Sequence, residues 1–410
     1  MSCFFTIRIV MTSETHGSVT APVRHFLFQG SGKGYFAVWL VNILLTLITA
    51  GLYLPWALVR ARRYFYENTE LGGARFSYHA TGRSIFVGWL CLLVLYVIFL
   101  INVVHQNVGL QLCMIGLFLI FFPWLITQGL RYQLLMTEIN GVRFNFYASP
   151  LRAWWVMMGC PLLIIIASVV IFSLFASSAV SSGSYGAIFT MIGIGTLVLM
   201  LGIAIMQGVY TAQWFGMLVN NLQYGKLKFA GEFSAKKCIT IIVLSMLLFV
   251  PFIAVVLYII IPAFFMMTQY AYAAGDDPEQ LALLMGPFYG KLLFSYLLYI
   301  AGAVVCYIFA FVKLRNYLYS QLSLEGDIRF SSTVTIGRVF LISVTNLLVC
   351  CVTLFLAWPW AKVRFTRYLL ENTHVHGDLE ALPLEKHDVQ PAKDPANLLA
   401  RGLSFYPVVF

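Results

Sequence analysis

His374 and His376 form an H-x-H pair that could ligate a metal if a third ligand joined them. The pair lies in a polar stretch, where solvated surface histidines are the expectation, and no metal site is assigned. His105 falls in a short segment between two apolar blocks, at the depth of lipid headgroups. The eight cysteines have no C-x-x-C spacing, and Cys350 and Cys351 are adjacent, a poor arrangement for a mutual disulfide. Most lie in or beside apolar blocks and read as small buried hydrophobes. Lys33 stands in GSGKG, but the stretch lacks the spacing of a phosphate-binding loop and no hydrophobic strand precedes it. It reads as a flexible turn ahead of an apolar block. No G-x-S-x-G, H-E-x-x-H or other nucleophile constellation occurs. The sequence offers no catalytic residue, no cofactor site and no reading as an enzyme.

The sixteen Asp and Glu residues all lie outside the long apolar blocks. Proton- or cation-coupled carriers place a carboxylate at mid-membrane to bind or relay the ion. Carbonyls at broken helices can also bind ions, so coupling is disfavoured rather than forbidden. Asn42 and Asn346 occupy equivalent places within two apolar blocks. They read either as interhelical hydrogen-bond groups, worth about 1 kcal/mol or less in a bilayer, or as polar groups lining a shared path. Pro-Trp steps at Pro55-Trp56, Pro123-Trp124 and Pro359-Trp360 each precede basic residues. Trp favours the headgroup zone and Pro ends or bends a helix, so these steps read as anchors or as hinges. Basic groups beside a span attract anionic lipid by about 1 kcal/mol per charge. Trp56, Arg60, Arg63, Trp360, Arg364 and Arg367 are therefore candidate headgroup anchors. Glu67 and Glu371, four residues after Arg63 and Arg367, offer local ion pairs.

The elements that must position these groups follow from composition. Of 410 residues, 60% are hydrophobic and 10% charged, against about 25% charged in soluble chains. The apolar residues fall in long blocks, which inside lipid must be helices because every backbone polar group needs an internal partner. Six spans are expected at Ser84–Val104, Leu110–Leu130, Ala153–Phe175, Ala187–Gln207, Cys238–Ile261 and Leu292–Val312. Loops 60–83, 131–152, 218–237 and 313–338 hold sixteen Lys and Arg residues, whereas 105–109 and 176–186 hold none. The positive-inside rule places the basic loops in the cytoplasm. The same rule accounts for the formal charge of +10 without a nucleic-acid partner. The expected partner is the bilayer, with anionic headgroups at its cytoplasmic face; protein partners and oligomeric state stay open.

PWALVRARRYFYENT at 55–69 recurs as PWAKVRFTRYLLENT at 359–373, identical at ten of fifteen positions. A shorter repeat marks each basic loop: a glycine turn at Gly72-Gly73, Asn140-Gly141, Gly225 or Gly326, then a basic residue and Phe76, Phe144, Phe229 or Phe330. Such turns suit tight β-hairpins. Phe26, Phe28 and Gly32 match Phe76, Tyr78 and Gly82, and a trace of the turn survives at Gly377. The expected fold is an all-α polytopic membrane protein, internally duplicated, with short cytoplasmic β-hairpins between spans. Its parts are a polar tail at 1–24, a membrane domain at 25–377 and a disordered tail at 378–410. The terminal apolar blocks, 35–59 and 339–359, either cross fully or re-enter, which leaves the side of the termini open. Met1 and Met11 both stand as possible starts.

The stretches FLFQGSGKGYFAVWL and LYLPWALVRARRYFYENTELGGARFSYHATG, with the PWAxVRxxRYxxxNT signature and its C-terminal copy, resemble the YjgN-like family of bacterial inner-membrane proteins over about residues 25–375. The resemblance implies location in the inner membrane and a multi-pass architecture, and carries over no catalytic residue or substrate. Two functions fit: a facilitated permease of a small solute or lipid, or a scaffold or lipid-interacting envelope protein without transport.

Overall fold

The computed structural model describes residues 23–181, 185–274, 278–325, 327–379 and 395–402. The glycine turns close hairpins as their residue types require. Gly72 and Gly73 (φ 58° and 87°) join β2 (Thr69–Leu71) to β3 (Ala74–Tyr78), and Asn140 and Gly141 (φ 52° and 76°) join β4 (Thr137–Ile139) to β5 (Val142–Phe146). Two more hairpins follow, β6 (Leu222–Tyr224) with β7 (Leu227–Gly231) and β8 (Leu322–Leu324) with β9 (Ile328–Ser332).

These hairpins do not stand alone, and this corrects the expectation of an all-α protein with short separate hairpins. β3 pairs with β4, β5 with β6, and β7 with β8. β9 continues to β10 (Thr373–His376), β10 to β1 (Val23–Phe28), and β1 back to β2. The ten strands form one closed antiparallel barrel. A hairpin in isolation is marginal and leaves two unpaired edges; strands gathered at one end of the helices satisfy those edges with each other, and closure leaves none.

Five strand–helix–helix–strand units supply the barrel. The first is β1, α1 (Gly32–Ile48), α2 (Leu54–Glu67) and β2; the second runs through α3 (Gly82–Val104) and α4 (Val108–Leu135). In the third, α5 (Pro150–Trp154), a π-helical turn (Trp155–Gly159) and α6 (Cys160–Ser181) lead to α7 (Tyr185–Asn220). The fourth has α8 (Ala235–Ala274) and α9 (Pro278–Ser320), and the fifth α10 (Ile336–Val352) and α11 (Trp358–Glu371). All five departing helices begin after a Ser or Thr, namely Ser31, Thr81, Ser149, Ser234 and Thr335, residue types suited to N-capping. Ser31 and Ser149 accept from the amides of Gly34 and Arg152.

Six helical stretches are long and apolar enough to cross a bilayer; five of the expected spans lie within them, and the fourth, Ala187–Gln207, overlaps the stretch Gly193–Asn220. The helices of the fourth unit run on as far as Ala274 and from Pro278, well past the ends of the spans expected at Cys238–Ile261 and Leu292–Val312. The first and fifth pairs are shorter. At 1.5 Å per residue α1 is about 25 Å long, less than the roughly 30 Å hydrocarbon core. The chain then reverses through Ala50 and Gly51 (φ 49° and 90°), or Leu354 and Phe355 (φ 49° and 64°) in the fifth unit. Both ends of each short pair join the barrel.

Neighbouring helices touch in a ring, with α1 against α11 closing it. Only 11% to 22% of the most apolar window of each span is buried, so the ring is not a solid bundle. The main core instead lies in and just beneath the barrel, around Phe28, Phe146, Met217 and Val375. The tail expected to be disordered carries α12 (Pro395–Arg401), which packs on α3 and α4 with the Arg401 guanidinium 4.7 Å from the Tyr132 ring.

Candidate functional site: the barrel lumen

Side chains alternate across a strand, so each strand sends every second residue inward. Five cross-strand pairs repeat around the barrel: Phe26 opposite Leu71, Phe76 opposite Ile139, Phe144 opposite Tyr224, Phe229 opposite Leu324, and Phe330 opposite Val375. All ten residues line one apolar cavity of about 710 Å³. Its lining runs from the turns at Gly72, Gly73 and Asn140 to Leu130, Leu134, Trp214, Leu218 and Leu370 on the returning helices. The cavity therefore passes along the barrel from its turns to the helix ends. Such a volume falls within the roughly 300–1,000 Å³ of small-molecule sites. Neighbouring rings stagger around the wall, with Phe26 and Phe76 stacked at 6.2 Å and Phe144 and Tyr224 at 5.0 Å between centroids. The Tyr224 hydroxyl donates to the Ile139 carbonyl at 3.0 Å, and burial, helped by Glu138, pushes its pKa up to about 12. It stays a neutral donor in an apolar wall.

A repeated clasp ties helices to loops at the barrel–helix junction. In three units the returning helix carries a tyrosine whose hydroxyl binds the loop that opens its own helix pair. Tyr64 accepts from the Ser31 amide (2.9 Å), Tyr317 from the Ser234 amide (2.8 Å) and Tyr368 from the Thr335 amide (3.1 Å). Tyr132 bonds instead to the Ser84 hydroxyl, in the first turn of α3. In the three clasped units the residue just before the tyrosine reaches the loop of the following unit: Arg63 donates to the Ala80 carbonyl (3.2 Å) and Asn316 to Val334 (2.8 Å). Arg367 donates to Gly30 (2.7 Å), which ties the last unit to the first. Buried Arg315, expected in a basic loop, instead donates to the Thr373 hydroxyl at 2.9 Å.

These contacts locate the sequence-derived candidates. Arg63 and Arg367 grip backbone carbonyls, and Arg364 donates to the Thr345 hydroxyl and Asn346 Oδ1 at 2.8 and 3.3 Å. Arg60 is exposed, its guanidinium 5.6 Å from the Tyr53 ring. Trp56 lies over Gly82 and Trp360 over Gly32, each covering the start of the following unit's helix; a Cβ there would stand 2.3 and 2.1 Å from the indole Cδ1. Asn42 and Asn346 donate to the carbonyls of Ala57 and Ala361 at 3.0 and 3.1 Å, each stitching its own short helix pair. Neither lines the lumen. His374 meets His25 across the β1–β10 seam, Nδ1 to Nδ1 at 2.6 Å, and no group of three or more metal-ligating side chains occurs among the described residues. The repeated phenylalanines were visible in the sequence as turn markers, but nothing local showed that they face one lumen.

A ring of five helix pairs, three of them of membrane length, capped by one barrel of repeated units defines a class of multi-pass membrane protein. The chain belongs to the DUF898 family, described as a bacterial protein of unknown function, which matches residues 23–393. It is 34% identical over 381 residues to inner membrane protein YjgN of Salmonella typhimurium, covering 93% of this chain and 95% of the relative. The Escherichia coli K12 protein of the same name is 34% identical over 392 residues, covering 95% and 98%. No solved structure matches. The chain is thus a multi-pass protein of the bacterial inner membrane.

Proposed function

We propose that this protein is a facilitated permease whose solute route runs through the barrel lumen. The observation that carries this reading is the apolar cavity of about 710 Å³ that joins the hairpin turns to the helix ends. Eight strands enclose little more than side chains or one small ligand, and ten give a wider lumen. An apolar or amphiphilic solute suits this lining, because an ion or sugar would lose its hydration without replacement hydrogen bonds. The mostly exposed helices give the inner end of the lumen a lipid-filled surround. With the barrel on the cytoplasmic face by the charge rule, the short helix pairs re-enter rather than cross. No span holds a carboxylate, which supports movement down the solute gradient without proton coupling. The protein is read as a carrier and not as an enzyme.

In proteoliposomes, a fluorescent amphiphile should cross faster than in protein-free vesicles, and the rate should survive a protonophore that collapses an imposed pH gradient. Strict dependence on that gradient would overturn the uncoupled mechanism, and no acceleration for any amphiphile would overturn transport. A second reading, lipid-binding scaffold, draws on Arg75, Arg143, Lys228 and Arg329, which precede the lumen phenylalanines and so face outward. Binding to anionic vesicles without flux would favour it.

A further inference from the structure

Among the described residues that line the lumen, one carries a charge, Arg24 on β1. Arg24 stands two residues before Phe26, on the inward-facing side of the strand. The equivalent residues of the other units are Ala74, Val142, Leu227 and Ile328, all apolar. Arg24 Nη1 donates to the Gly72 carbonyl at 3.4 Å, which places the guanidinium at the β2–β3 turn, the outer end of the cavity. That turn is shaped for it. A Cβ on Gly72 would lie 2.5 Å from Arg24 Nη1, and Gly73 has open space where a Cβ would go. A guanidinium forms short charge-assisted hydrogen bonds to carboxylate or phosphate oxygens. Beyond it the lumen lining is mostly apolar, with Tyr319 and Thr373 near the helix ends.

We propose that the lumen binds a single-chain amphiphile with an anionic head, a carboxylate or a phosphate monoester. The head bonds to Arg24 beside the Gly72–Gly73 turn, and the acyl chain lies along the phenylalanine ring toward the helix ends. This deepens the lumen reading by naming its ligand class. A free fatty acid and a lysophosphatidic acid share that chemistry.

The test is displacement of a fluorescent polyene fatty acid from the purified protein in nonionic detergent, with empty micelles subtracted. Palmitic acid or palmitoyl lysophosphatidic acid should displace the probe at a concentration about tenfold or more below that needed by methyl palmitate, the worth of one charge-assisted hydrogen bond. Whichever acid acts at the lower concentration names the source. Arg24→Gln should abolish the advantage of the acids, and Arg24→Lys should keep part of it. Ala74→Trp, which fills the lumen without removing charge, should weaken acid and ester alike. Arg75→Gln, on the outer face, should change neither. Equal displacement by acid and ester, or an unchanged preference in Arg24→Gln, would overturn the proposal, as would the absence of displaceable probe binding. Binding without flux in proteoliposomes would defeat the permease reading and leave this site standing.

Discussion

Two residue-scale contacts carry consequences out of proportion to their size. The first is the histidine contact that joins the first strand to the last. With Nδ1 atoms 2.6 Å apart, one ring must donate and the other accept, so both cannot be protonated there. Burial, followed by the charges of His25 and His376, holds the His374 pKa below the usual histidine value. The other groups bonded to these rings are neutral hydroxyls, Thr333 on His374 and Ser331 on His376. A folded-state pKa below the unfolded one means that the unfolded chain binds the proton more readily. The seam's contribution is therefore whole above about pH 6.5 and is lost as pH falls below it. Thermal melts should show a stability loss between about pH 7 and pH 5 that His374→Gln reduces; an identical slope in the variant would contradict the assignment. The second contact is Trp56 over Gly82. Gly82→Val should lower stability by about 1–3 kcal/mol through overpacking, and Trp56→Ala should restore part of it. Melting points of the two single variants and the double variant decide this.

At the scale of elements, the clasp is the repeated device that keeps helix pairs and strands in one geometry. Tyr368→Phe removes the hydroxyl that meets both the amide and the side chain of Thr335, and should cost about 1 kcal/mol. Arg367→Gln should cost more, because it leaves the last unit unfastened from the Gly30 carbonyl. A melting point unchanged by Arg367→Gln would show that the strand pairing alone closes the ring. The hairpins and the duplicated units were legible because glycine turns and the PWAxVR signature are local patterns. Barrel closure was not, since its pairings join residues such as Phe144 and Tyr224, or Val23 and His376, that lie far apart in sequence. No local period announces such pairs. The polar candidates were legible as residues and not as roles. The sequence marks Arg63, Arg367 and Asn42 as unusual near a membrane, but only the fold supplies the carbonyls that they bind. The lumen wall was hidden differently: Phe76 and its counterparts look like ordinary strand hydrophobes until five units face one axis.

For the whole molecule, five similar units close a ring of helix pairs whose strands enclose a cavity. Function then depends on which side of the wall a residue faces, more than on which strand holds it. Ala74 lines the lumen, and its neighbour Arg75 faces outward with about two-thirds of its side chain exposed. A parent free of the eight native cysteines would carry a single cysteine at one of these positions in proteoliposomes. Amphiphile flux would then be followed before and after complete modification by a bulky thiol reagent. The proposed lumen route predicts that modified Ala74→Cys loses most of its flux while modified Arg75→Cys keeps it. Full modification of Ala74→Cys with undiminished flux would contradict passage through the barrel.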